Sequence, residues 1–308
     1  ADPLKMFGAN ISMKKNRLPI EIYGSSFLRP INYIEKLGSA QCKSSVMLAA
    51  LKTPGITKIK AKKSRNHTEL LCKYLNLPIQ IKKTKNYDLI KINNVRKINT
   101  INYTIPSDIS SAAFFIVLTA LSENSKLIIK NVNVNPSRVG IITILKRMNI
   151  KIEFKNTKIY KGEKVADIFV ESAKNIKAIN CPTNLNSGAI DEFLVIFLIA
   201  AKAKGISYFN GLSELNQKES PRLKIGSKIL RLMGVENIVT KNSIKIFGNP
   251  NLNINKKIII KNFLKDHRIF MTSVIAALAF GGQWNIHDKD SIRTSFPDFL
   301  TIIKNLQK

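Results

Sequence analysis

The sequence predicts an α/β fold assembled from a repeated unit, and three observations support that prediction. Helices that begin polar and turn apolar return at intervals of roughly 70 to 85 residues. A short β-rich segment follows each of the first three helices. A second helix comes next, and it begins with Ser followed closely by Arg. The predicted order is therefore helix, strand, helix, hairpin.

Each part of the repeated unit can be placed in the chain. The first helices occupy residues 36–51, 105–121, 186–201 and 263–278. The β-rich segments after them are 55–62, 126–134 and 206–212. The second helices are 64–75, 137–148, 220–233 and 291–306, and paired strands follow, for instance at 150–172 and 235–248. Residues 4–25 look like the closing portion of a further unit whose beginning is absent.

Length and composition predict a globular protein. The chain has 308 residues, enough for two cores of ordinary size, and 44% of them are hydrophobic. The longest apolar runs, 112–121 and 193–201, are well short of the roughly 20 residues that span a bilayer, so we expect no membrane partner. The amino terminus shows no basic segment followed by an apolar core and a cleavage site. We therefore expect a cytoplasmic protein.

The cysteines and histidines show no spacing typical of a metal site. Cys42, Cys72 and Cys181 each stand among apolar neighbours, which is typical of small core residues. We expect no metal, no disulfide framework and no cofactor.

The net charge of +30 would suit a nucleic-acid partner, since basic clusters attract polyanions. However, only ten of the fifty basic residues are Arg, and Lys is spread along the chain. Aromatic residues make up 7%, without an alternating aromatic and basic face suited to base stacking. We therefore expect no nucleic-acid partner, and anionic small substrates remain the alternative.

An arginine recurs near the start of each second helix. The four are Arg65, Arg138, Arg222 and Arg293, which follow Ser64, Ser137, Ser220 and Ser291. Ser220 and Pro221 look like the cap and first residue of a helix, where a cation opposes the macrodipole. One such Arg is usually a solvated surface residue. If the units pack around pseudo-threefold axes, however, convergent helix amino termini and Arg form an anion-attracting pocket, and a bound anion removes the conflict.

The polar starts of the first helices differ from unit to unit, while their apolar bodies match. These starts contain Ser39, Gln41 and Lys43; then Asp108, Ser110 and Ser111; then Asp191 and Glu192; and finally Asp266, His267 and Arg268. Ser and Asp are favoured at helix starts for local reasons, but Arg268 is again a cation near a helix start. An asymmetric ligand requires different polar side chains at equivalent positions of the repeated units.

Eight motifs in one order resemble those of a known enzyme family. They are GSAQCKS (38–44), SRNHTE (64–69), PSDISSAAFF (106–115), NPSRVGI (135–141), DEF (191–193), NGLSELNQKESPRL (210–223), KDHRIFM (265–271) and TSFPDF (294–299). With this combination the chain resembles the 5-enolpyruvylshikimate-3-phosphate synthases, also called 3-phosphoshikimate 1-carboxyvinyltransferases, over nearly its whole length.

The resemblance implies the enolpyruvyl transferase fold, of the inside-out α/β barrel type, with two domains of three βαβαββ units each. About four of these six units are visible, so we expect the chain to match the carboxy-terminal two thirds of such an enzyme. Residues 1–104 would form part of the first domain, on the shikimate 3-phosphate side. Residues 105–308 would form the second domain, on the phosphoenolpyruvate side, without its amino-terminal segment. Whether the chain alone is active is left open.

The resemblance also implies a reaction, in which the enolpyruvyl group of phosphoenolpyruvate is transferred to the 5-hydroxyl of shikimate 3-phosphate and phosphate is released. This step belongs to the shikimate pathway to chorismate and the aromatic amino acids. The implied contacts to shikimate 3-phosphate are Ser39, Gln41, Ser64, Arg65, Asp191 and Lys218, with His67 nearby. Arg222 and Arg268 would bind phosphoenolpyruvate. We expect a monomer.

Two carboxylates are candidates for proton transfer in that reaction. Asp191 would take the proton of the attacking hydroxyl. Glu219, beside Lys218, would protonate the methylene carbon or take part in a shared proton relay. Surrounding cations favour the ionised form of such carboxylates unless burial opposes them. A plain helix cap is the structural alternative for Asp191.

Three other functions stay open at this level. The UDP-N-acetylglucosamine enolpyruvyl transferases share the fold and the phosphoenolpyruvate chemistry, although their reactive loop cysteine has no evident counterpart here. A non-catalytic protein that binds anions or nucleic acid could use the same units. A truncated remnant without a function of its own is the third.

Overall fold

Short helices and strands alternate along the chain in the computed structural model, which describes residues 1–15 and 17–306. Asn16, in the predicted segment 4–25, lies outside the described residues. The chain divides into two units, one of residues 1–104 with 159–163 and one of residues 105–158 with 164–308.

The first unit carries a four-stranded sheet against two helices. Its elements are α1 (Asp2–Phe7), β1 (Asn10–Lys14), β2 (Arg17–Tyr23), β3 (Asn32–Glu35), α2 (Ala40–Ala50), β4 (Ile56–Lys62), α3 (His67–Tyr74), β5 (Ile79–Lys83) and β6 (Tyr87–Asn93). The sheet has the order β3-β4-β6-β5, in which β3 and β4 are parallel and the other pairs antiparallel. Strands β4 and β6 alternate buried and exposed residues, so one face covers the core around Val46 and Met47 of α2.

The second unit contains the remaining elements, apart from the end of one strand (Ile159 and Tyr160) and the first residue of the next (Glu163), which belong to the first unit. The helices are α4 (Ile109–Leu121), α5 (Gly140–Arg147), α6 (Asn186–Ala189), α7 (Phe193–Lys202), α8 (Arg222–Leu232), α9 (His267–Phe280) and α10 (Phe299–Leu306). The strands are β7 (Lys126–Asn133), β8 (Ile152–Tyr160), β9 (Glu163–Glu171), β10 (Gly205–Asn210), β11 (Asn237–Val239), β12 (Ser243–Gly248), β13 (Lys257–Ile260) and β14 (Gln283–Ile286). They form three small sheets with the orders β7-β9-β8, β10-β12-β11 and β13-β14.

Helices α4, α7 and α9 form the centre of the second unit and contact one another. Residues 193–201 of α7 are all buried, and α4 is buried on nearly every side. A helix that is apolar all round is stable only when other elements surround it. Because each of these helices opens one repeat, the unit has a pseudo-threefold core, and the predicted α/β repeat fold is confirmed. The sheets of the described chain are open, and none of them closes into a barrel.

Two predicted helices differ from the observed ones. The helix predicted over 186–201 is interrupted at Ile190–Glu192, between α6 and α7. Asn186 anchors the short α6 through hydrogen bonds from its side-chain amide to the carbonyls of Asn210 and Gly211, and Gly188 weakens the helix. The helix predicted over 291–306 begins only at Phe299, because Pro297 interrupts the segment and a 3₁₀ turn occupies Lys289–Ile292.

The prediction that all three cysteines are core residues is wrong for Cys42. Cys72 and Cys181 are buried, and burial raises the pKa of each thiol to about 11, as for inert core cysteines. Cys42 is exposed, because the buried stripe of α2 begins one position later, at Lys43, and continues through Val46 and Met47.

Close contact between α5 and α6 depends on two glycines. A Cβ atom on Gly140 would lie 2.6 Å from the carbonyl carbon of Gly188 and 2.8 Å from the carbonyl oxygen of Leu185. We expect Gly140→Ala to lower the free energy of unfolding by about 1–3 kcal/mol, because backbone cannot move aside as a side chain can. Urea unfolding measures this. Gly24→Ala is the matched control, since a Cβ there meets nothing within 4 Å. Equal losses in the two variants would contradict the prediction.

Candidate active site

The charged cluster of the second unit lies where α4, α5, α7, α8 and α9 begin. Arg222 is the first residue of α8 and is 1% exposed. Its Nε donates to Oδ2 of Asp266 at 2.9 Å, and its Nη2 lies 3.4 Å from Oδ1 of the same carboxylate. A guanidinium fork against one carboxylate fixes both side chains in one geometry. Arg222 is therefore anchored to the start of α9.

Asp191 lies in the break between α6 and α7, among three cations. Its Oδ1 is 3.5 Å from Nη1 of Arg222 and 3.6 Å from Nζ of Lys218. Its Oδ2 is 3.6 Å from Nη1 of Arg138. The side chain is 13% exposed. A carboxylate surrounded in this way is well placed to meet a polar ligand and is not a simple helix cap, since the cap position of α7 is Glu192.

Arg268 joins the cluster from the first turn of α9. Its Nη1 donates to the backbone carbonyl of Asp191 at 2.9 Å and lies 3.8 Å from Oε1 of Glu192. Its backbone N–H donates to Asp266, the N-cap of α9. Burial and the charge of Arg268 lower the pKa of the neighbouring His267. Arg268 and Arg222 thus approach Asp191 from two different helices.

Lys218 and Glu219 border the cluster at the end of a 3₁₀ turn, Ser213–Gln217. The Nζ of Lys218 donates to Oε1 of Glu214 at 2.8 Å. About one fifth of the Lys218 side chain is exposed to solvent. Glu219 is exposed and accepts a hydrogen bond from Nη2 of Arg222. All five predicted site residues of the second unit, Asp191, Lys218, Glu219, Arg222 and Arg268, are therefore brought together.

The structure explains how α8 tolerates a cation at its first residue. The sequence predicted that Ser220 caps α8, and this prediction is wrong. The cap position is Pro221, and the Oγ of Ser220 donates to Oδ2 of Asp266. The carboxylates of Asp266 and Asp191 offset the charge of Arg222. Burial raises the pKa of Asp266, but the hydrogen bonds and charge of Arg222, with the bonds from Ser220 and the Arg268 N–H, outweigh it and hold that pKa below its usual range. The carboxylates of Asp191 and Asp266, from two successive repeats, therefore offset the charge that opposes the helix dipole.

A pocket of about 230 Å³ lies beside the cluster, within the second unit. This volume is below the roughly 300–1,000 Å³ of sites for drug-sized ligands, so it suits a small ligand. Its lining residues are Asp108, Ser110, Ser111, Phe114, His267, Arg268, Met271, Ser295 and Phe296.

The first unit brings its own predicted residues to the starts of α2 and α3. Ser39 caps α2 by accepting a hydrogen bond from the N–H of Cys42 at 3.2 Å, and Gln41 is exposed in the first turn. Ser64 and Arg65 lie just before α3 and are half-buried. The Oγ of Ser64 is buried and makes no hydrogen bond within the described residues. His67, at the start of α3, pairs with Glu163 through Nδ1.

Lys43 ties these two helix starts together, although its type suggested a solvated residue. It is fully buried, and its Nζ lies 2.6 Å from Oε1 of Glu69 and donates to the carbonyl of Arg65 at 2.9 Å. The Lys43 side chain therefore holds the segment that carries Ser64 and Arg65. Only its place in the buried stripe of α2 could have indicated this role from the sequence.

Replacement of Lys43 by Met is expected to lower the free energy of unfolding by about 3–5 kcal/mol, because Glu69 is left buried and unpaired. The double variant Lys43→Met with Glu69→Leu should recover much of that loss. Chemical denaturation of the three proteins measures both effects. Lys73→Met, on the exposed face of α3, is the control and should change little. A double variant no more stable than the single one would refute the buried-pair account.

Two general findings concern the described residues alone. Within residues 1–15 and 17–306, no three His, Cys, Asp or Glu side chains come together in a way that could hold a metal ion. In the same part of the chain, no helix has the length and apolar character needed to cross a membrane.

The fold and the cluster define an enolpyruvyl transferase type of α/β protein. The enolpyruvyl transferase NikO from Streptomyces tendae superposes with a TM-score of 0.68 over 99% of this chain and 70% of that one, at 13% identity, which is a likeness of fold. The EPSP synthase structure from Acinetobacter baumannii superposes with a TM-score of 0.86 at 33% identity, over 99% of this chain and 69% of that one.

Sequence comparison assigns the family. The profile of EPSP synthase (3-phosphoshikimate 1-carboxyvinyltransferase) matches residues 1–303. The chain is 38% identical to the 3-phosphoshikimate 1-carboxyvinyltransferase of Vesicomyosocius okutanii, over 99% of this chain and 68% of that protein. It is 37% identical to the enzyme of that name from Caldicellulosiruptor bescii, over 98% of this chain and 69% of that protein. The chain belongs to the EPSP synthase family, as the motifs indicated.

Proposed function

We propose that this chain transfers the enolpyruvyl group of phosphoenolpyruvate to the 5-hydroxyl of shikimate 3-phosphate and releases phosphate. The observation that supports this most directly is the position of Asp191, within 4 Å of Arg138, Lys218 and Arg222. A carboxylate that can take a proton thus stands beside cations that suit phosphate and carboxylate groups. The names of the relatives point to the same reaction.

The cations of the second unit suit phosphoenolpyruvate in this proposal. Arg222 and Arg268 present guanidinium groups from the starts of α8 and α9, and guanidinium forks match carboxylate and phosphate oxygens. Helix amino termini add their N–H dipoles to the same attraction. Arg222 also holds Asp266, so binding and local stability share one side chain.

Proton transfer is assigned to the two carboxylates predicted from the motifs. The reaction forms a C–O bond to shikimate 3-phosphate and breaks the C–O bond to phosphate. Asp191 accepts the hydroxyl proton, with Lys218 at 3.6 Å balancing the charge that remains. Glu219 delivers a proton to the methylene carbon and takes one back from the resulting methyl group as phosphate leaves, or takes part in a relay with Lys218, so that the hydroxyl proton ends on the released phosphate. Its contact with Arg222 holds Glu219 at the edge of the cluster.

The first unit is assigned to shikimate 3-phosphate. Ser39, Gln41, Ser64 and Arg65 stand at two adjacent helix starts, and the buried Ser64 Oγ makes no hydrogen bond in the described chain. Buried hydroxyls usually have a partner, so a ligand oxygen would complete this one. The proposal further includes a cytoplasmic monomer that needs no cofactor or metal and binds neither nucleic acid nor membrane.

Phosphorus NMR of the folded chain mixed with both substrates tests the reaction. We expect the phosphoenolpyruvate resonance to be replaced by inorganic phosphate and a new shikimate 3-phosphate ester, whose mass includes one enolpyruvyl group. Replacing shikimate 3-phosphate by UDP-N-acetylglucosamine is the control for the related transferases. Consumption of phosphoenolpyruvate only with the nucleotide sugar would overturn the proposal, as would salt-sensitive DNA binding without any response to shikimate 3-phosphate.

A further inference from the structure

No substrate contact or proton-transfer step is assigned to Arg138 above, although it lies beside Asp191 and is one of the four arginines that recur near helix starts. It follows Ser137 and comes just before α5, and it is 7% exposed. Arg293, in contrast, is largely exposed and pairs with Asp290. A buried arginine at a helix start is costly unless carboxylates and hydrogen bonds satisfy it, so its partners indicate its function.

Both terminal nitrogens of Arg138 face protein groups. Nη2 donates to Oγ of Ser110 and lies 3.5 Å from Oδ1 of Asp108, both at the start of α4. The same nitrogen is 4.0 Å from Oε1 of Glu192. Nη1 makes no hydrogen bond within the described chain and lies 3.6 Å from Oδ2 of Asp191. The guanidinium is therefore enclosed by α4 and the α6–α7 break and is directed at Asp191.

The position of Asp191 depends on charges on both of its sides. Arg138 faces one carboxylate oxygen, while Arg222 and Lys218 face the other. Removing the charge on one side favours rotation of the carboxylate toward the other side. It also makes protonation of the carboxylate easier, since an opposite charge within about 4–6 Å favours the charged form.

Glu192 links Arg138 to Arg268 behind Asp191. It is 1% exposed, and its Oε1 accepts a hydrogen bond from Ser110 and lies 3.8 Å from Arg268. Burial raises the pKa of Glu192, and the charges of Arg138 and Arg268 and the Ser110 bond partly offset this. Replacing Arg138 and Glu192 together removes one basic and one acidic side chain from the cluster, whereas replacing Arg138 alone leaves the buried Glu192 with one cation fewer.

We propose that Arg138 is a positioning residue, which holds Asp191 in the orientation for proton transfer and keeps it ionised without touching the substrate. This inference rests on the proposed function for its catalytic meaning, whereas the control of Asp191 itself can be measured without turnover. Within the described residues, four cations and five carboxylates face Asp191 or its partners: Arg138, Lys218, Arg222, Arg268, Asp108, Glu192, Glu214, Glu219 and Asp266.

Carbon NMR of protein labelled at the aspartate Cγ tests the positioning role directly. Asp191→Asn assigns the resonance of Asp191. The variants are Glu192→Gln and the double variant Arg138→Gln with Glu192→Gln, which differ only at Arg138. The loss of Glu192 beside Arg268 is common to both. We expect Asp191 to take up its proton about one pH unit higher in the double variant than in Glu192→Gln. Arg138→Lys, which keeps the charge, should shift the midpoint by less than half as much relative to the wild-type chain.

Kinetics supply the second readout. In the double variant the acid limb of the kcat–pH profile should move to higher pH by the same shift. At the optimum, kcat should fall by about 10- to 100-fold relative to Glu192→Gln, with little change in KM for phosphoenolpyruvate. If Arg138 had only a structural role, its replacement would lower the melting temperature and leave the kcat–pH profile unchanged.

The outcomes separate the two proposals. An Asp191 titration at the same pH in Glu192→Gln and the double variant would overturn the positioning role, whether or not the chain is active. A shifted titration in a chain that releases no phosphate would leave the electrostatic role of Arg138 standing and refute the proposed function.

Discussion

Replacement of Asp191 by Asn is expected to lower kcat by about 10²- to 10⁴-fold, the range over which a general base contributes. The amide keeps the shape of the side chain but cannot take the hydroxyl proton. It also removes the negative charge that Arg138, Lys218 and Arg222 share, so the three cations lose their common partner. Substrate binding should weaken much less, because both substrates are anions and the cations remain. Steady-state kinetics of phosphate release measure kcat and KM separately.

A matched control makes the Asp191 result specific. Asp290→Asn makes the same chemical change at an exposed carboxylate that pairs only with Arg293 in the described chain. This variant should keep wild-type kinetics, since exposed ion pairs contribute little. A kcat for Asp191→Asn within about threefold of the control would remove Asp191 from the chemistry.

Replacement of Arg222 by Met is expected to be the most destabilising single change at the site, by about 3–5 kcal/mol at neutral pH. Asp266, which is 1% exposed, would lose the fork that holds it charged. Ser220 and the Arg268 N–H would remain as its only hydrogen-bond donors within the described residues. KM for phosphoenolpyruvate should rise as well, because Arg222 is also a proposed substrate contact. Arg222→Lys should restore part of the charge but not the fork.

The stability loss of Arg222→Met should depend on pH in a defined direction. In the wild-type chain the pKa of Asp266 is lowered, so its contribution to stability is present above the unfolded pKa and is lost as the pH falls. Without Arg222, burial dominates and raises that pKa, so the variant regains stability as Asp266 becomes protonated. The difference in unfolding free energy from the wild type should therefore be larger at about pH 7 than at about pH 4.

Urea unfolding of both proteins at the two pH values measures this difference. Arg231→Met, on the exposed face of α8, is the control and should show a small change that does not vary with pH. A loss for Arg222→Met that is equal at both pH values would contradict the assignment of the effect to Asp266.

The sequence predicted the repeat, because the repeat depends on local pattern. The candidate site residues were named through the family resemblance, and their roles remain predictions. The pattern of a polar start followed by an apolar body marks the helices α2, α4, α7 and α9. The arginines that recur near the starts of the second helices indicated that helix starts would meet. That expectation is realised where Arg138, Arg222 and Arg268 surround Asp191 and Glu192.

Contacts between residues far apart in the chain could not be predicted from the sequence. Asp266 lies 44 positions from Arg222, and its role as the partner of that arginine follows only from the packing of α8 against α9. Lys43 was expected at a polar helix start, but its neighbours in the α2 stripe bury it against Glu69. The break at Ile190–Glu192 depends on the loop that Asn186 holds. In each of these three places, tertiary contacts and not local propensity determine the structure.

Phosphate release from phosphoenolpyruvate by the folded chain, measured with and without shikimate 3-phosphate and repeated with Asp191→Asn, tests the central claim most directly. The account predicts release that requires shikimate 3-phosphate and falls by about 10²-fold or more in the variant. Phosphate release that does not depend on shikimate 3-phosphate would contradict the proposal that this cluster carries out enolpyruvyl transfer. So would the lack of any phosphate release by a chain shown to be folded.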